Sequence, residues 1–141
     1  CYTDCMSHKA ILCVDDEAII LMHLVMILEA RYSPEFMLMS SANAAHALAL
    51  IDRIEAEGIR LLVVVSDWQM PGMKGDEFLL AVRMRIPDIK TIMVSGKTDS
   101  MAMQRLKTEA GLVGFLSKPL DKQRLFDLID DIIAQDSPVM V

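Results

Sequence analysis

Five residues that can do chemistry together stand where short apolar runs stop. Ala10-Ile11-Leu12-Cys13-Val14 ends in Asp15-Asp16, and Leu61-Leu62-Val63-Val64-Val65 leads through Ser66 into Asp67. Thr91-Ile92-Met93-Val94 stops at Ser95, and Phe115-Leu116-Ser117 stops at Lys118. Three carboxylates gathered in one place repel each other, and at least one has its pKa raised unless a cation intervenes. Mg2+ suits that role, because it takes oxygen ligands, keeps several waters and works with one or two carboxylates and a phosphate. A carboxylate is also a nucleophile toward phosphorus and can form an aspartyl-phosphate. Catalysis of that transfer is mostly positioning and charge neutralisation. The metal would cover one phosphoryl oxygen, Lys118 a second and Ser95 a third. Each residue alone has an ordinary reading: Asp at a strand end as a cap or turn residue, Ser95 before Gly96 as a turn, Lys118 before Pro119 as a solvated lysine. Their coincidence at successive strand ends is what favours chemistry.

The elements that must position them follow from periodicity. The runs are short and apolar throughout, as strands buried on both faces are. Phe36–Met39 is a weaker strand candidate. Ile20, Leu21, Leu24, Ile27 and Leu28 recur at helical spacing, with Glu17 in the first turn, Arg31 near the end and Ser33-Pro34 as the break. A second helix runs from Ala44 through Ile54 to Gly58, with Ser41 or Asn43 as its cap. A third covers Gly75 to Arg85, and a fourth about Asp99 to Glu109. A fifth, Asp121 to Ala134, carries Leu125, Leu128, Ile129 and Ile132 on one face. Gly111 and Gly114 are expected to bracket a turn before a short last strand, Phe115–Ser117. Strands separated by helices pair in parallel with helices on both faces. The fold class is therefore α/β, a single doubly wound five-stranded parallel sheet, whose ligands collect at the carboxyl ends of the strands.

Composition removes other classes. A length of 141 residues suits one domain, which needs no disulfide or metal staple. A net charge of −6 argues against nucleic acid as a partner. The longest apolar run, Ala18 to Leu28, is too short for a membrane span, and no secretion signal is present, so a cytoplasmic location is expected. Cys1-x3-Cys5-x2-His8 lacks the second ligand pair that zinc spacing requires. Residues 1–8 read as a disordered or appended segment, 9–135 as the domain and 136–141 as a tail. His23 and His46 read as helix-surface residues, Trp68 as a half-exposed ring over the pocket, and the twelve methionines mostly as gap filling in the core.

Four motifs carry a family resemblance: Val14-Asp15-Asp16-Glu17, Ser66-Asp67-Trp68-Gln69-Met70-Pro71-Gly72-Met73-Lys74-Gly75, Val94-Ser95-Gly96 and Phe115-Leu116-Ser117-Lys118-Pro119. Over about Lys9 to Gln135 the chain resembles the response-regulator receiver domain of two-component signalling. That resemblance implies a flavodoxin-like strand order 2-1-3-4-5. It implies Asp67 as phosphoacceptor, with Mg2+ bound directly by Asp16, through water by Asp15, and by the main-chain carbonyl of Gln69. Ser95 and Lys118 would bind the phosphoryl group, and the Lys118–Pro119 bond would be cis. Ser95 and Phe115 would form the switch: the hydroxyl moves inward on phosphorylation and leaves room for the ring. The implied partners are a sensor histidine kinase or histidine phosphotransfer protein. A downstream domain or protein would dock on the fourth helix, fifth strand and fifth helix, a surface through which relatives also form homodimers. Met101 and Met103 would lie on that fourth helix.

Three departures stand out against the family pattern. Phe115 lacks the hydroxyl of the Tyr common there; the stretch from Asp16 to Asp67 is several residues long, with the extra length placed at Leu50 to Gly58; and Gln69 and Lys97 occupy positions that tune phosphoryl lifetime. Rival chemistries fit less well. A haloacid-dehalogenase phosphatase needs a second Asp where Gln69 stands, and a P-loop needs Gly where Thr91 stands. A flavodoxin-like cofactor binder would want a hydroxyl-rich loop in place of Asp15-Asp16-Glu17. The remaining alternative is a pseudo-receiver, a phosphorylation-independent interaction module, against which the complete acidic pocket argues. The chain reads equally as a stand-alone receiver or as a piece of a larger regulator or hybrid kinase.

Overall fold

The computed structural model describes residues 9–96 and 100–136, with the backbone alone for residues 100–103. The expectations placed on Cys1, Cys5, His8, Lys97, the side chains of Met101 and Met103, and residues 137–141 fall outside the described residues. The elements run β1 (Lys9–Val14), α1 (Ala18–Tyr32), β2 (Phe36–Ser41), α2 (Ala44–Ala56), β3 (Arg60–Ser66), α3 (Gly75–Arg85), β4 (Lys90–Ser95), α4 (Ser100–Glu109), β5 (Leu112–Ser117) and α5 (Lys122–Asp136). The five strands form one parallel sheet in the order β2-β1-β3-β4-β5. This is the flavodoxin-like arrangement expected from the resemblance.

Alternation along the strands divides the core into two layers. Ala10, Leu12, Val14, Val64 and Met93 face α2, α3 and α4, where Ile51, Phe78, Leu79 and Leu106 meet them. Ile11, Cys13, Val65, Ile92 and Val94 face α1 and α5, against Leu24, Leu28, Leu125 and Ile129. Both faces are covered, so every central strand position must be apolar. Burial in that second layer pushes the Cys13 thiol up to about 12. No helix among the described residues is long and apolar enough to cross a membrane.

Two strands carry one residue more than their neighbours can pair. Between the pairs Ala10–Leu61 and Ile11–Val63, Leu62 is extra; between Thr91–Leu112 and Ile92–Gly114, Val113 is extra. Each extra residue resets the alternation. Leu62 and Val63 consequently share the α1–α5 layer, while Leu112 and Phe115 share the other.

The last strand is longer than the sequence suggested. Gly111, at φ 69, belongs to the turn, but Gly114 lies inside β5. A Cβ on Gly114 would meet Leu128 Cδ1 at 2.5 Å, so the glycine is there for close strand–helix packing, not for a turn. The fifth helix begins one residue later than expected, because Asp121 Oδ1 caps it by accepting from Gln123 N at 3.0 Å, and it continues through Asp136. Of the two cap candidates for α2, Asn43 is the cap, accepting from His46 N at 2.7 Å. The Ser41 hydroxyl donates to Asn43 O at 2.8 Å and lies 2.8 Å from His46 Nδ1. His46 is thus exposed on the helix yet tied into the cap. The Lys118–Pro119 bond is cis, as is Ser33–Pro34.

Candidate functional site

Each strand-end residue is held by one hydrogen bond that prolongs the parallel ladder. Asp67 N donates to Val14 O at 3.0 Å and Asp15 N to Ser41 O at 3.2 Å. On the other half of the sheet, Lys118 N donates to Ser95 O at 3.2 Å. These bonds fix the backbone just beyond the last strand residue, where side chains can converge without leaving main-chain groups unpaired.

Asp15 and Asp67 are buried, Asp16 is exposed, and one carboxylate oxygen from each lies within 4.8 Å of the others. Lys118 Nζ stands 3.2 Å from Asp15 Oδ2, 3.4 Å from Asp67 Oδ2 and 3.6 Å from Glu17 Oε1. Ser95 is buried at the end of β4. Gln69 is exposed on the β3–α3 loop, where it borders an open hollow with Asp16, Trp68 and Lys74. Phe115 is half-buried against the α2–α4 layer, two residues before Ser117, whose register partner is Ser95. The structure therefore brings Asp15, Asp16, Asp67 and Lys118 together directly, and sets Ser95, Gln69 and Phe115 on the adjoining strand ends and loop.

The electrostatics of this group are unbalanced. Burial pushes the Asp15 carboxyl above its ordinary range and the Asp67 charge adds to that, while the Glu17 backbone N–H, donating to Oδ1 at 2.9 Å, and Lys118 pull it back. Burial opposes the Lys118 charge, but Asp15 and Asp67 outweigh it and hold the ammonium above its usual value. One ammonium is shared among three carboxylates, with Asp16 beside them. That donor set, all oxygen and partly open to water, fits a hard divalent cation.

The loop after β3 is built around its glycine. Gly75 N donates to Trp68 O at 2.7 Å, and a Cβ there would lie 2.7 Å from Asp67 O and 2.8 Å from Trp68 Cα. Trp68 is half-buried, packed against the core, with its edge on the hollow.

Two features were not foreseen in the sequence. Glu17 was read only as a helix-dipole residue, yet it approaches Lys118. A cavity of about 390 Å3 also opens beside Asp67, walled by Ile20, His23, Leu24, Pro119 and Leu120. His23 is thus more than a surface residue of α1. The spacing of Ile19, Ile20, His23 and Leu24 on one side of the helix was the available signal.

Comparison with known proteins agrees with the geometry. The family model of the response regulator receiver domain matches residues 11–130. The chain is 34% identical over 126 residues to the hydrogenase transcriptional regulatory protein HoxA of Cupriavidus necator, a match covering 88% of this chain and 24% of that protein. It is 30% identical over 131 residues to the sensor kinase CckA of Brucella abortus, covering 93% and 13%. It thus spans about a quarter or less of the length of these two relatives. Among solved structures, a CheY-like response regulator receiver domain protein from Methanospirillum hungatei superposes with a TM-score of 0.77 at 28% identity, covering 90% of this chain and 94% of that one. With sequence motifs, strand order and family model in agreement, the chain belongs to the response regulator receiver domain family.

Proposed function

We propose that the chain is a phosphoacceptor that takes a phosphoryl group onto Asp67 from a histidine kinase or histidine phosphotransfer protein. The observation that carries this reading is the placement of Lys118 Nζ 3.4 Å from the Asp67 carboxylate, within a cluster of three aspartates. In the transfer, an Asp67 oxygen forms the new O–P bond as the donor's P–N bond breaks, and the neutral imidazole leaves. Lys118 and Ser95 hold two phosphoryl oxygens and so lower the cost of the charge that spreads over them. Asp15, Asp16, Asp67 and the Gln69 main-chain carbonyl would hold Mg2+. Bound there, the ion supplies charge neutralisation to the remaining phosphoryl oxygen. Ser95 and Phe115 then act as the switch, on strands that flank the surface formed by α4, β5 and α5. A downstream domain, protein or second copy docks on that surface. Residues 9–136 form the receiver unit, working in the cytoplasm.

The test is incubation with acetyl phosphate and Mg2+, with and without EDTA, followed by intact mass. A gain of one phosphoryl group, lost with EDTA and absent from Asp67→Asn, is expected. Phosphorylation that persists in Asp67→Asn would place the acceptor elsewhere. No gain in the native chain would favour a phosphorylation-independent interaction module.

A further inference from the structure

The cavity beside Asp67 has a composition that the phosphoacceptor role does not need. Its polar lining groups are Asp15, Ser66, Asp67 and Lys118, all from the strand ends, and His23 from α1. The rest of its wall is apolar: Val14, Val65 and Val94 from the sheet, Ile19, Ile20 and Leu24 from α1, and Pro119 with Leu120 from the β5–α5 loop. Ile19 projects into solvent at 83% exposure, while Leu24 is only 5% exposed, so the apolar wall runs from surface to core. Its volume, about 390 Å3, lies at the small end of the range for ligand pockets. A phosphoryl group alone would engage the strand-end groups and leave the greater part of the cavity empty.

We infer that this cavity is a leaving-group pocket, and that the small-molecule phosphodonors suited to this chain are acyl phosphates with an apolar acyl chain of about four to eight carbons. The inference rests on the phosphoacceptor reading above. The head and the tail of such a donor match the two parts of the cavity. Its anionic phosphoryl group meets Lys118, the one cationic side chain in the lining besides any charge on His23. Its chain meets Ile20, Leu24 and Leu120, with rotation about the bridging P–O and C–O bonds letting it turn toward them. In the step, the Asp67 carboxylate attacks phosphorus, the acyl P–O bond breaks, and the acyl group departs as a fatty carboxylate with the bonding pair. Asp67 keeps the phosphoryl group as a mixed anhydride. One anhydride is exchanged for another, so no oxidant or further reactant is involved. A sugar or nucleoside leaving group would find few partners for its hydroxyls on these walls, and burying them unpaired is costly.

The experiment compares acetyl, butyryl and hexanoyl phosphate as donors to the native chain with Mg2+, following phosphoprotein by intact mass. Each methylene buried is expected to lower the apparent KM about fourfold, so hexanoyl phosphate should show a KM at least roughly tenfold below that of acetyl phosphate, with kcat little changed. Ile20→Trp and Leu120→Trp fill the cavity from α1 and from the β5–α5 loop. In each, hexanoyl phosphate should fall back to the acetyl phosphate value while acetyl phosphate turnover, which also reports folding, is retained. Equal KM values for the acetyl and hexanoyl donors in the native chain overturn the inference. So does a preference that survives in both tryptophan variants. A native chain that acetyl phosphate cannot phosphorylate at all overturns the phosphoacceptor reading, and this inference with it.

Discussion

Asp15 is the residue whose charge the fold accommodates least comfortably. It is 3% exposed, faces Asp67 and shares Lys118 with it. Because its folded-state pKa is raised, the folded protein holds a proton there more readily than the unfolded chain does. The stabilising contribution of that proton is fully present below the ordinary carboxylate pKa and is lost as pH rises through the raised value. At neutral pH the ionised carboxylate therefore costs stability. Asp15→Asn is expected to stabilise the metal-free protein by about 1 kcal/mol at pH 7, read as a rise of several degrees in Tm, and the gain should vanish in acid. The same variant should lose the further rise in Tm that Mg2+ gives the native chain. Protons and metal compete for Asp15, so Mg2+ affinity, measured by calorimetric titration, should weaken as pH falls through the raised pKa. Asp130 has the opposite sign: the Arg31 hydrogen bond, at 2.6 Å, holds its carboxyl below the usual range, and its contribution is present above the ordinary carboxylate pKa and lost as pH falls. A thermal-stability profile that is flat in acid, with no difference between native chain and Asp15→Asn at any pH, would contradict this account.

At the scale of elements, the most informative positions are those where a helix and a strand come unusually close. Gly114→Ala would drive a methyl into Leu128, and a loss of about 1–3 kcal/mol by chemical denaturation is expected. Trimming Leu128 to Ala in the same chain should recover part of that loss, a coupling that a local strand-propensity effect would not show. Tyr32 ties the end of α1 to α5: its hydroxyl donates to Asp130 Oδ1 at 2.7 Å, and Arg31 lies over the Phe126 ring. Tyr32→Phe leaves that carboxylate one donor short and should cost about 1–2 kcal/mol. The elements themselves were readable because buried parallel strands give uninterrupted apolar runs, and because Pro34, Gly58 and Pro87 mark where helices must stop. What escaped was long-range. Gly114 signals a turn in sequence and becomes a packing residue only when Leu128 of α5 arrives beside it. Asp67 and Lys118 were legible because each stands where an apolar run ends, whereas Glu17 reaches Lys118 across a distance that no spacing rule encodes. The cavity walls come from α1, three strands and a loop, and no local pattern announces such an assembly.

For the molecule as a whole, the end opposite the phosphoacceptor is closed by charges that tie the two chain ends of the described domain together. Asp136, at the close of α5, pairs with Lys9 at the start of β1 at 3.5 Å and with Arg60 at the start of β3, and Arg60 also meets Asp88 at 3.8 Å. Residues 9–136 should therefore fold as one cooperative unit. Fluorescence of Trp68 and far-UV circular dichroism are expected to give coincident denaturation curves for that fragment. A fragment ending at Ala134 lacks Asp136 and should unfold at lower denaturant. Separated transitions for the two probes would show that the two halves of the sheet are not one unit. The extra residues at Leu62 and Val113 have a consequence on this same scale, best put as arithmetic. Each strand behaves as a parity counter, since every step along it exchanges one face of the sheet for the other. Asp67 and Phe115 owe their sides to counters that have each been advanced by one. A single-residue deletion before Asp67 within β3, or before Phe115 within β5, would change odd to even and turn the phosphoacceptor or the ring toward the wrong layer. A two-residue deletion would shorten the strand but preserve the sense of everything after it. Length variation in this molecule is therefore tolerable in the loops at any count, and in these two strands only in even numbers.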